Sequence, residues 1–94
     1  MKPDQILSAV CAHFSTPARP ITPEELTGTD GAKVLVKARK VAMAVCYLEG
    51  RSRFAVAELF NASHLDVMAA VNGGLNGDLR AHRDAILAAM KGTP

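Results

Sequence analysis

The sequence predicts an all-α fold, a bundle of five to six helices that contains a helix-turn-helix. Three observations carry this. Apolar residues recur at three- and four-residue spacing along most of the chain, and nothing alternates as a half-buried strand would. Aromatics are only 4% of a chain that is 49% hydrophobic, so the core must come from Ala, Val, Leu, Ile and Met, which suits close helix packing. Prolines at 17 and 20 and glycines at 28, 31, 50, 73, 74 and 77 cut the pattern into short segments. Ninety-four residues are read as one domain, 1–94.

Each element follows from local chemistry. The first helix runs from about Asp4 to Phe14, with Ile6, Leu7, Val10, Cys11 and Phe14 as its apolar stripe. Pro17 and Pro20 end it. Thr22-Pro23-Glu24-Glu25 is a capping box with proline at the first helical position, and it starts a helix of about one turn that Gly28 stops. Gly28 to Gly31 reads as a turn. The longest helix spans about Ala32 to Glu49, with Leu35, Ala38, Val41, Ala42, Val45 and Leu48 inward, and Gly50 stops it. Ser52 caps a short helix to about Phe60, Asn61-Ala62 makes a tight turn, and Ser63 caps the next helix with Asp66 in capping-box position. Asn72-Gly73-Gly74 weakens that helix, and Gly74 or Gly77 ends it. The last helix runs from about Asp78 to Lys91, with Leu79, Ile86, Leu87 and Met90 inward.

Net charge is only +2, but its distribution is uneven. Residues 31–53 hold Lys33, Lys37, Arg39, Lys40, Arg51 and Arg53 against Glu49 alone, six cations less one anion, or +5. Lys33, Lys37 and Lys40 line up at i, i+4, i+7 on one face of the long helix, with Arg39 close by. Such a patch is the electrostatic footprint expected of a phosphate-facing surface; a solvated helix face has the same composition.

Several function classes find no support. There is no glycine-rich phosphate loop and no nucleophile motif, so no enzyme and no cofactor is expected. Cys11, His13, Cys46, His64 and His82 lack zinc-site spacing, so no metal is expected. Cys11 and Cys46 read as buried reduced thiols, which suits a cytoplasmic location. No secretory leader is expected, and no membrane-length apolar run is present in the sequence.

From Lys37 to Val71 the chain resembles the C-terminal DNA-binding domain of the bacterial replication initiator DnaA. Ala38-Arg39-Lys40-Val41-Ala42-Met43-Ala44 is similar to that family's ARQIAMYL-type helix, and Ser52, Val56, Phe60, His64 and Val67 stand where its pattern has Ser, Ile, Phe, His and Val. Glu25-Leu26-Thr27-Gly28 fits its short upstream turn loosely. The resemblance implies a Trp-repressor-like helix-turn-helix that binds double-stranded DNA, with a role in replication initiation control or transcription and a possible protein partner in the replication machinery. By position, Lys37 stands near an Arg that reaches the minor groove, and Arg39 and Lys40 stand at the head of the long helix. Ser63, His64, Leu65 and Asp66 stand where the family's groove-entering helix has Asp, His, Ser or Thr, and Thr.

The departures are chemical. Ala62 replaces an Arg, and Ser63 replaces an Asp that would accept from a cytosine amino group. Leu65 and Asp66 replace two hydroxyl residues, and Asn72-Gly73 replaces a usually basic pair. The family's own origin sequence is therefore not expected to be read with normal affinity. His64 could touch a base edge, or pack against Phe60 or the turn. Asp66 could accept from a cytosine amino group, or serve the helix cap. Leu65 could meet a thymine methyl, or join Met68, Ala69 and Val71 as an apolar patch for a partner helix. Two expectations follow: a DNA binder using Lys33, Lys37, Arg39, Lys40, Arg51, Arg53, Ser63, His64, Leu65 and Asp66, or a protein-interaction module on the same scaffold that has lost specific DNA binding.

Overall fold

The computed structural model describes residues 3–28, 31–72 and 77–90. Six helices occur among them: α1 (Pro3–Phe14), α2 (Pro23–Thr27), α3 (Lys33–Leu48), α4 (Arg53–Phe60), α5 (His64–Asn72) and α6 (Gly77–Met90). No strand is present among the described residues; the one bridge, Thr16 with Arg19, closes a tight turn around Pro17-Ala18. The expected all-α bundle is the fold. No single helix is long and apolar enough to cross a membrane among the described residues.

The helices start and stop where side chains satisfy the backbone. Thr22 Oγ1 accepts from the Glu25 amide at 3.3 Å, and the Glu25 carboxylate accepts from the Thr22 amide at 3.2 Å, the capping box that the sequence predicts. Ser52 Oγ accepts from the Ala55 amide at 3.1 Å. Ser63 and Asp66 form a second reciprocal pair: the Asp66 amide donates to Ser63 Oγ at 3.1 Å and the Ser63 amide to Asp66 Oδ2 at 3.4 Å. At the other ends, two left-handed residues close helices in the same way. After α3, Gly50 (φ +98°) lets its own amide reach Tyr47 O and the Arg51 amide reach Cys46 O. After α4, Asn61 (φ 53°) lets its amide reach Glu58 O and the Ala62 amide reach Ala57 O.

α3 is the axis of the bundle and packs against all five other helices. α1 and α6 lie against it and each other, α4 and α5 cover its other flank, and α2 bridges α1, α3 and α4. This surrounds the middle of α3. Val41, Ala42, Met43, Ala44, Val45 and Cys46 are all buried in succession, so the single inward stripe is too narrow a description of this helix. Leu48, expected inward, is half exposed, because it lies past that collar at the last turn of α3. Leu79 and Ile86 of α6 are buried as expected, while Leu87 and Met90 are partly buried against the same core. The turn expected at Gly28–Gly31 and the end of α5 at Gly74 lie outside the described residues in part or whole; Gly77 opens α6 instead of ending α5.

Candidate nucleic-acid interface

The chain turns through 110° between α4 and α5, within the range of helix-turn-helix pairs. Asn61 makes the bend, and its amide nitrogen Nδ2 donates to Thr27 O at 3.3 Å, tying the turn to the end of α2. α5 buries Val67 and Ala70 and packs Val71 on the core, so Leu65, Asp66, Ala69 and Asn72 face outward. The expected apolar patch is thus narrower than drawn, since Val71 belongs to the core side. Leu65 is the most exposed large apolar residue of those described, at 70%.

On α3, Lys33, Val36, Lys37 and Lys40 are exposed along one face. α3 meets α5 across a cleft of about 290 Å³, with Val36, Arg39, Lys40 and Met43 on one wall and Asp66, Ala69 and Ala70 on the other. Of the lysine row, Lys40 thus stands against the outward face of α5. Asp66 does two things there. Its carboxylate completes the α5 cap, where a negative charge also suits the helix N-terminus, and it stands beside Lys40 at the cleft.

Arg39 is placed differently from the lysines. Its guanidinium turns to the end of α2, where Nε donates to Leu26 O at 2.9 Å and Nη2 to Glu25 O at 3.0 Å. A cation on helix C-terminal carbonyls is a favourable arrangement, and it makes Arg39 a positioning residue that holds α2 on α3. Glu25 in turn pairs with Arg19 at 2.9 Å, and the hydrogen bonds from Arg19 and from the Thr22 amide hold its carboxyl below the usual carboxylate range.

Arg53 and His64 come together through a residue that the sequence reading passed over. The Arg53 guanidinium carbon lies 4.9 Å from the centroid of the Phe54 ring, and the His64 ring centroid lies 5.2 Å from the same centroid at a 52° tilt. His64 thus packs on Phe54. Phe54 itself is 58% exposed. The signal was readable: Val56, Ala57 and Phe60 form the buried face of α4, and Phe54 falls off it.

The thiols are buried, as expected, and burial pushes Cys46 up to about 11, against a smaller downward pull from Arg51. Away from the lysine face, His13 of α1 and His82 of α6 hydrogen-bond ring to ring at 2.7 Å, with Phe14 packed beside them. Desolvation, then the neighbouring His82, lowers the His13 pKa. Among the described residues, no three His, Cys, Asp or Glu gather into a group that could hold a metal ion.

The chain matches no protein-family model, and no curated protein is significantly similar to it.

Proposed function

We propose that this domain binds double-stranded DNA, with the start of α5 in the major groove and Lys33, Lys37 and Lys40 on the phosphates. One observation carries the reading: after the 110° bend, the capped, exposed start of α5 stands across a cleft from Lys40, the last of the α3 lysine row. Ser63, His64 and Leu65 would face base edges, while Arg51 and Arg53 flank the start of α4. Arg39 contributes by fixing α2 and the head of α3 in place. A role in replication control or transcription rests on the resemblance to the DnaA C-terminal domain.

Fluorescence anisotropy with a mixed-sequence duplex tests this. Binding should weaken steeply as salt rises, with a log–log slope of about −3 to −4 for three or four neutralised phosphates. Lys37→Glu should weaken it and make the slope shallower by about 1 or more. Asp66→Thr should tighten binding, because a carboxylate leaves a phosphate-facing cleft. Absence of duplex binding even at low salt would sink the reading.

A second reading is favoured by the exposure of Leu65 at 70%: a protein-interaction surface on the same face. If it holds, Leu65→Asp abolishes self-association or partner capture while duplex affinity is absent in both proteins.

A further inference from the structure

We infer that the corner between α3 and α4 is a second nucleic-acid site, one that takes an unpaired nucleotide, with its base on Phe54 and its phosphate near Arg51 and Arg53. This goes beyond the duplex reading and does not rest on it. The corner is an open cleft of about 540 Å³ lined by Tyr47, Gly50, Arg51, Ser52, Arg53 and Phe54. That size lies within the roughly 300–1,000 Å³ of small-ligand sites. Its lining holds two aromatics, two cations, the hydroxyls of Tyr47 and Ser52, and no anion.

Each part has a reason to be there. Phe54 remains 58% exposed even with Arg53 over its ring and His64 tilted against it, so ring surface is left for a ligand. Those two neighbours also hold the ring in place, which lowers the ordering cost of stacking on it. Gly50 shapes the corner: its φ of +98° is one that L side chains rarely adopt, and the space around it is open, with nothing within 4 Å of a Cβ built there. Tyr47, half-buried at the end of α3, forms the other aromatic wall.

This chemistry selects an unpaired base. In a duplex both faces of a base are covered by its neighbours, so an aromatic side chain can stack only on a base that has left the helix or belongs to a single strand. A planar base carrying a phosphate matches an aromatic ring with two arginines in the same cleft better than an apolar peptide or a phosphate alone does.

The chain has one tyrosine, Tyr47, and no tryptophan, so tyrosine emission reports this corner directly. The experiment titrates the full chain with a short single-stranded oligothymidylate, an abasic strand of equal length, and thymidine monophosphate. The thymidylate strand should quench Tyr47 emission and bind roughly tenfold tighter than the abasic strand, the size expected of one stacked base. Phe54→Ala, at an exposed position that leaves the core intact, should erase that preference, and Phe54→Tyr should keep it. Lys37→Glu should keep it too while weakening duplex binding, which separates the two sites. Tighter binding of the strand than of the monophosphate identifies a single strand as the ligand; equal binding identifies a free nucleotide. Equal affinity for thymidylate and abasic strands, or an unchanged preference in Phe54→Ala, would overturn the inference whether or not the duplex is bound.

Discussion

Asn61 is the only non-glycine residue at positive φ among those described, and it sits at the bend between α4 and α5. A left-handed conformation costs an ordinary L-residue roughly 1–2 kcal/mol, less for Asn. Asn61→Ala should therefore lower stability by about 1–2 kcal/mol, since it also loses the bond to Thr27 O. Asn61→Gly should cost less, because only the side-chain bond is lost. Urea midpoints for the two variants decide this, and equal losses would place the energy in the Thr27 bond that both variants lack. Cys46 offers a second residue-scale test. Its thiol stays protonated in the fold to about 11 but ionises near its ordinary 9.0 when unfolded. The raised folded value means stability is full below pH 9 and declines as pH climbs from 9 toward 11. A urea series across that window should show the decline, and Cys46→Ala should reduce it.

At the scale of elements, the cations of α3 divide into two kinds. Arg39 makes two charge-assisted bonds to α2, so Arg39→Met should destabilise the domain by about 1.5–3 kcal/mol. Lys37→Ala and Lys40→Ala are surface changes and should stay within about 0.5 kcal/mol. Thermal or urea unfolding of the three variants separates them; equal effects would contradict this division. That division was illegible in the sequence, where Arg39 is one more cation near a basic row. Its allegiance depends on α2 ending beside it, 13 residues away in the chain. The capping boxes at Thr22 and Ser63 were legible because partner and cap lie three residues apart. The inward stripe of α3 was legible at Leu35, Ala38 and Val45 and failed at Leu48, since a periodic pattern does not say where the neighbouring helices stop covering it. Within the candidate site, spacing revealed the lysine row and the Asp66 cap. The Phe54–His64 contact needed the bend between their helices.

At the scale of the whole molecule, His13 and His82 join α1 to α6 across 69 residues of chain. No local pattern could announce that pair. Two neutral rings share one N–H···N bond; two protonated rings cannot, and they repel. The His13 pKa is lowered in the fold, so the unfolded chain takes up a proton first as pH falls below about 6.5. Stability should therefore drop on acidification from about 6.5 toward the folded value of His13, and it should drop less in His13→Gln. Urea midpoints at neutral and mildly acidic pH check this; parallel curves for the two proteins would rule it out.

The collar around Val41–Cys46 has a consequence for how the molecule opens. Every other helix packs on α3, and Val41–Cys46 is buried throughout, so this stretch is uncovered only when the packing around α3 comes apart. Backbone amides there should exchange with deuterium only when the entire chain unfolds, while those at the exposed start of α5 exchange through local fraying. The surface proposed to meet nucleic acid can thus breathe without disturbing the seat on which it is mounted.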